Sequence, residues 1–219
     1  MADSPAVAAA CELVIADDPA DWARLGFAPD AAGVVALGPL AIRLAGSGAG
    51  EGIVALILAG EGGGDADGLP LRGGATSRAS APSHPNGAVA IDHVVVLTGS
   101  RDRTAAALVR AGGDERRRGG PPELPARMAF VRFGPLVVEV AEAGAAPPHP
   151  DPPAGPARFW GVTVTTTDID AAAALAGRPP RAAVQPGRRI LTVPREAGLS
   201  TALALITPRP SPPGSAARG

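Results

Sequence analysis

Two titratable residues sit where strands should run. His93 follows Ile91-Asp92 and leads into Val94-Val95-Val96; Glu139 stands inside Leu136-Val137-Val138-Glu139-Val140. An imidazole and a carboxylate in β-branched runs point to one of two chemistries. They can be ligands for zinc, iron or manganese. They can equally be a buried histidine hydrogen-bonded to a carboxylate, a satisfied polar pair in a pocket. Side chains two apart on a strand share a face, so Val137 belongs with Glu139. If Gly134-Pro135 makes a two-residue turn, Phe130 and Arg132 join that face. Arg132 then reads either as a clamp for an anionic ligand or as the partner of Glu139 itself. Phe159 and Trp160 are neighbours on a further strand-like run and must face opposite ways, one toward core or pocket and the other toward a helix.

Other reactive residue types carry less. Cys11 stands alone, which excludes a disulfide framework, suits a reducing compartment and reads as a small buried hydrophobe. His84 in His-Pro-Asn-Gly and His149 in a proline-rich stretch read as loop residues. Gly46-Ser47-Gly48-Ala49-Gly50 superficially resembles a phosphate loop, but an apolar strand-like run follows it where the dinucleotide fingerprint needs a helix. Arg116-Arg117-Arg118 reads as a solvated loop, and Trp22 with Leu25 as core.

The elements that must position these residues repeat along the chain. Leu13-Val14-Ile15-Ala16, Val94-Val95-Val96-Leu97 and Val162-Thr163-Val164-Thr165 are each followed by a helix start, capped by Asp18, Ser100 and Asp168, and each helix stops at glycine: Gly26, Gly112, Gly177. Val35 to Leu44 aligns without gaps with the segment around Gly134-Pro135-Leu136, which reads as the same Gly-Pro hairpin twice and sets Arg43 opposite Glu139. The third unit ends in two further strands, Arg189 to Val193 and Leu203 to Ile206. Each unit thus reads β-α-β-β with room for one more strand. The run Ile53 to Leu58 either extends the first unit or begins a truncated partner. The expected division is a diverged N-terminal unit over 10–61, a linker over 62–87 rich in Gly, Asp, Ser and Ala, paired modules over 88–143 and 158–208 joined by a stiffer Pro-rich connector, and a disordered tail over 209–219.

The segment from Ile91 through a helix to Phe130-Val131-Arg132-Phe133-Gly134-Pro135-Leu136-Val137-Val138-Glu139-Val140 resembles a module of the vicinal-oxygen-chelate superfamily, which includes glyoxalase I, extradiol dioxygenases and bleomycin-resistance proteins. The resemblance covers 88–142 well, 158–207 moderately, and 11–60 only through the internal repeat. It implies an α+β fold of repeated βαβββ modules in a curved, mostly antiparallel sheet around a pocket. It also implies ligands on the first and last strand of each module: His93 and Glu139 match, while Gly161 and Ala204 in the last module cannot ligate through side chains. In the first unit Glu12 matches His93 and Arg43 replaces Glu139. At most half a metal site is therefore expected, with either no cofactor or a weakly held divalent metal (Zn, Fe or Mn). The functional expectation is a small-molecule-binding, glyoxalase- or bleomycin-resistance-like protein using Phe130, Arg132, Val137, Phe159 and Trp160. The alternative is a metal-dependent lyase, isomerase or dioxygenase using His93 and Glu139, so whether the chain is an enzyme stays open.

Composition narrows the partners. The chain has 219 residues, 46% hydrophobic, enough for a substantial core. Its net charge of -1 and 3% aromatic content argue against nucleic acid, which needs a basic face or stacking platforms. All 20 basic residues are arginine; with so much alanine, glycine and proline this reads as genome-wide codon bias, and arginine enrichment alone is given no weight. No stretch reaches the roughly 20 apolar residues of a membrane span. The opening residues lack the basic stretch of a secretory leader, and Glu12 interrupts the first apolar run, so a cytoplasmic location is expected. The expected partner is a small organic molecule, with a homodimer left open.

Overall fold

The computed structural model describes residues 8–60, 63–75, 83–119, 127–142 and 155–210. Its first sheet is built from β1 (Ala10–Ile15), β2 (Val34–Leu37), β3 (Leu40–Leu44), β4 (Ile53–Ala59), β5 (Gly64–Ala66) and β6 (Leu69–Gly74), with α1 (Pro19–Arg24) after β1. The strand order is β2-β3-β1-β4-β6-β5. The second sheet is built from β7 (Ala88–Thr98), β8 (Asp114–Arg118), β9 (Met128–Phe133), β10 (Leu136–Glu142), β11 (Arg158–Thr166), β12 (Arg181–Ala182), β13 (Arg189–Thr192) and β14 (Ala202–Ile206). Helix α2 (Arg101–Arg110) follows β7 and α3 (Ile169–Ala176) follows β11. The order here is β12-β13-β14-β11-β7-β10-β9-β8.

That second order resolves into two βαβββ modules, β7-α2-β8-β9-β10 and β11-α3-β12-β13-β14. In each, the first strand pairs parallel with the last and the other pairings are antiparallel; the modules meet where β7 and β11 run antiparallel. The first sheet repeats the plan in reduced form. β1 pairs parallel with β3, β4 pairs parallel with β6, and β1 meets β4 antiparallel. The run Ile53 to Leu58 is therefore the first strand of a truncated partner unit that has no helix among the described residues.

Local chemistry explains the boundaries. Ser100 accepts from the Arg103 amide and Asp168 from the Ala171 amide, capping α2 and α3. Asp18 departs from expectation: it precedes α1 but its carboxylate accepts from the Ser47 amide instead. Leu37 pairs with Leu40 and Phe133 with Leu136, so Gly38-Pro39 and Gly134-Pro135 are both two-residue turns. The glycines sit at φ +63° and +59°, followed by proline locked at negative φ, the sign pattern of a type II′ turn.

The 62–87 stretch, expected as a linker, carries β5 and β6; its composition hid a hairpin whose turn is Asp67-Gly68, with Asp67 at φ +61°. Further along, His84 and Asn86 are buried. His84 Nδ1 accepts from the Ala28 amide and Nε2–H donates to the Ala36 carbonyl, while Asn86 donates to the Leu25 carbonyl. These bonds tie the end of the segment to the first sheet. His149 lies outside the described residues.

One apolar core joins the sheets. Leu13, Ile15, Leu56 and Leu58 of the first and Val94, Val96, Val162 and Val164 of the second belong to it, together with Trp22, Leu25 and Leu108. Buried Asp17 adds polar ties, accepting from Trp22 Nε1 at 3.0 Å and from the Ser200 amide at 2.7 Å. Cys11 is buried too. Alternation leaves the other face of each sheet outside this core. Among the described residues no helix is long and apolar enough to cross a membrane.

Candidate functional site

The outer face of the second sheet gathers the polar residues. Val95 stands opposite Glu139 on the parallel β7–β10 pair, and Glu139 stands opposite Phe130 on the β10–β9 pair. His93 and Glu139 thus lie on adjacent strands with side chains on one face, His93 Nε2 at 3.9 Å from Glu139 Oε2. A cavity of about 330 Å3 opens over them, lined by Asp92, His93, Phe130, Val137, Glu139 and the side chains of Arg117, Gln185, Pro186, Arg188, Arg209 and Pro210.

Seven of these were not expected from the sequence, Asp92, Arg117 and Arg188 foremost. Asp92 should alternate away from His93, but the β7–β11 register skips a residue: Thr163 pairs with His93 and Val164 with Ile91. Asp92 is the extra residue of a β-bulge, a device that re-aims side chains. Its carboxylate accepts from His93 Nδ1 at 2.9 Å and from Arg188 Nη2 at 2.6 Å. Arg117 belongs to the run read as a loop, which forms β8; it pairs opposite Phe130 and its guanidinium lies 4.3 Å from the ring centroid. Arg188 closes the Gln185–Arg188 turn into β13, is buried, and donates through Nε to the Thr207 carbonyl at 2.7 Å. Arg209 and Pro210, placed in the expected disordered tail, form part of the cavity wall; 211–219 lie outside the described residues.

The other expected residues separate. Phe130 and Val137 line the cavity. Arg132 shares their face, yet its guanidinium turns to the Gly134 carbonyl at 3.0 Å and lies outside the cavity wall. Phe159 packs on the main core. Trp160 packs on Val95, Leu97 and Ala141, a separate apolar cluster on the face that carries His93 and Glu139.

Electrostatics bind the polar residues into one unit. Burial alone would raise the Asp92 carboxyl, but hydrogen bonds from His93 and Arg188 hold it well below the usual range. Burial opposes the charge on His93, and the Asp92 hydrogen bond with the Glu139 charge outweighs it, raising the imidazole above its ordinary value. Burial lifts Glu139 against the pull of His93 and Arg117. His93, held through Nδ1, turns Nε2 toward Glu139 in the cavity, and the two neighbouring carboxylates favour the doubly protonated ring.

The metal positions that the resemblance implies can be placed on the same register. The position in β11 that corresponds to His93 is Gly161, which pairs with Ala202. A Cβ there would lie 2.5 Å from the Ala202 carbonyl oxygen and 2.8 Å from the Ala202 Cβ. Glycine at 161 is therefore a close-packing requirement, and no ligating side chain fits. Ala204 stands at the position corresponding to Glu139. His93 and Glu139 are left as two donors, with guanidinium groups in the same wall. Among the described residues no group of three or more His, Cys, Asp or Glu is placed to hold a metal ion. In the first sheet the pairings Glu12–Ala41 and Val14–Arg43 put Glu12 and Arg43 in the register of His93 and Glu139. There the two close on each other, Arg43 donating to both Glu12 oxygens at 2.8 and 2.9 Å.

No protein-family model matches the chain, and no curated protein matches it. Solved structures similar to it include methylmalonyl-CoA epimerase from Mycobacterium tuberculosis, at 13% identity, 61% of this chain, 95% of that one and TM-score 0.45. A Streptomyces coelicolor methylmalonyl-CoA epimerase in complex with 2-nitronate-propionyl-CoA is similar at 19% identity, 53% of this chain, 95% of that one and TM-score 0.40. A hypothetical protein from Bacillus halodurans C-125 is similar at 11% identity, 56% of this chain, 96% of that one and TM-score 0.43. The topology of this chain itself, two βαβββ modules abutting through antiparallel first strands, is the arrangement implied by the resemblance of its sequence to vicinal-oxygen-chelate modules.

Proposed function

We propose that the chain binds a small organic molecule in the cavity of the second sheet without a tightly bound metal ion. The observation that carries this reading is the two-donor site. A catalytic metal centre usually has about three protein ligands and an open position. Here the wall offers His93 Nε2 and Glu139. The Asp92 oxygens are committed to His93 and Arg188, and Gly161 has no room for a side chain. The guanidinium groups of Arg117 and Arg188 would also repel a divalent cation. What the cavity does combine, apolar contact from Phe130 and Val137 with a few fixed polar groups, is the usual make-up of a small-molecule site. The reading carries with it a cytoplasmic location. It leaves a homodimer to be decided by sedimentation.

A second reading is kept by one observation, the approach of His93 Nε2 to Glu139 Oε2. It is a metal-dependent lyase, isomerase or dioxygenase using those two residues. Elemental analysis of protein purified without chelator separates the two readings. The expected result is substoichiometric zinc, iron and manganese, unchanged in His93→Ala and Glu139→Ala. Stoichiometric metal that disappears in either variant would overturn the proposal.

A further inference from the structure

Arg188 is an unusual wall residue. Its side chain is 2% exposed, Nε and Nη2 are both engaged, and Nη1 is buried with no acceptor among the described residues. An unpaired buried donor is destabilising, more so when charged, so such groups are rare without a reason. The rest of the guanidinium is fixed in place by Asp92 and the Thr207 carbonyl, on a turn whose other residues, Gln185 and Pro186, also line the cavity. The orphan donor is held rigid on a residue of the cavity wall, beneath the surface that solvent reaches.

The surrounding charge has a sign. Three arginines, Arg117, Arg188 and Arg209, share the wall with two carboxylates, Asp92 and Glu139, an excess of one positive charge before His93 is counted. The Asp92 oxygens already accept from His93, Arg188 and Thr165. Phe130 provides a flat apolar surface, covered on one side by Arg117. A small monoanion with a planar acceptor group neutralises that excess and gives Nη1 its missing partner. We infer that the ligand of this cavity is a small organic carboxylate and that Arg188 is its anchor. The inference rests on the small-molecule-binding reading above and adds the ligand class and the residue that reads it.

The test is a ligand-observed NMR screen of small aliphatic and aromatic monocarboxylates, benzoate among them, each matched with its primary amide, against the full chain. Inorganic phosphate serves as a competitor. Resonances of His93 and Phe130 report whether a hit occupies the cavity. Arg188→Lys keeps a cation for Asp92 but lacks the guanidinium fork, so it isolates the anchor from the fold. A second variant, Asp92→Asn with Arg188→Met, removes both charges together, and near-UV circular dichroism checks that each variant is folded.

Carboxylates should shift His93 and Phe130 while their amides do not, and Arg188→Lys should weaken binding by about tenfold or more. Amides that bind in the cavity as well as their acids would overturn the carboxylate inference and leave the binding reading standing. So would phosphate that displaces the acids at equal concentration. Acids that bind Arg188→Lys and the double variant at full strength would overturn the anchor. If no compound moved either resonance, the binding reading itself would fall, and the inference with it.

Discussion

Replacing Gly161 by alanine tests the claim that β11 and β14 leave no space at the position corresponding to His93. The backbone there is not at positive φ, so alanine is conformationally allowed and should by itself stabilise the chain by about 0.4–1 kcal/mol through the unfolded state. Packing acts the other way. The new Cβ would stand 2.5 Å from a backbone oxygen and 2.8 Å from a methyl of a hydrogen-bonded parallel neighbour. Neither can swing aside as a long side chain could, so the strands must part by about half an ångström. Overpacking of this kind costs about 1–3 kcal/mol, which exceeds the entropic gain. The net expectation is a loss of about 1–2 kcal/mol, or a fall of roughly 0.5 M in the urea midpoint followed by the fluorescence of buried Trp22. Gly48→Ala, with nothing within 4 Å of its new Cβ, is the control and should stay within about 0.5 kcal/mol of the parent. A Gly161→Ala protein as stable as its parent would show that the strands can hold a side chain there. Position 161 would then have room for a third ligand.

Asp92→Ala should cost about 3–5 kcal/mol in chemical denaturation, because it strands the buried guanidinium of Arg188 and removes the acceptor of His93 Nδ1; a loss under 1 kcal/mol would mean the cluster is not coupled. Trp22→Phe should cost about 1–2 kcal/mol, since Nε1 no longer reaches buried Asp17, and a midpoint equal to the parent would contradict that bond. The folded Asp92 carboxyl lies below its unfolded value of about 3.9, so its stabilisation is complete well above that pH and is lost as pH falls through and below it. The urea-midpoint gap between parent and Asp92→Asn should therefore shrink from pH 6 to pH 3, and a constant gap would refute the assignment. His93 acts with the opposite sign: its folded value is raised, so its contribution is present below about pH 6.5 and lost as pH rises through the folded value. The NMR titration midpoint of its ring should lie above 6.5, and one below it would reverse the electrostatic picture.

What could be read from the sequence was what depends on period. Two-residue alternation and the strand-helix-hairpin repeat placed His93, Glu139, Phe130 and Val137 on one face, because those strands keep regular register through β9 and β10. The same rule lost Asp92, because a bulge breaks the period at that residue. Arg132 obeyed the period, but its side chain folds back to the hairpin end, a choice made by a single carbonyl. Arg188 was legible as a turn residue and illegible as an anchor, since its burial depends on Thr207 and Asp92, 19 and 96 residues away. The β5–β6 hairpin was missed for a related reason. Its Gly- and Asp-rich residues have poor strand propensity, and pairing with β4 supplies what local preference does not.

The run Asp114-Glu115-Arg116-Arg117-Arg118 also terminates the second sheet at one side. An outermost strand offers unpaired amides and carbonyls to any other strand it meets. Here Arg116 and Arg118 project charge along that margin and hold it through ion pairs to Asp114, Glu115 and Asp102. At the opposite margin β12 is two exposed residues long. In the first sheet β5 is three residues long, while the apolar strand β2 is wholly buried. Among the described residues none of the four margins presents a long bare apolar strand, so growth of either sheet by addition of a second chain is disfavoured at these ends. Loss of Arg116 and Arg118 would expose the longest of the unburied margins, and aggregation should begin there.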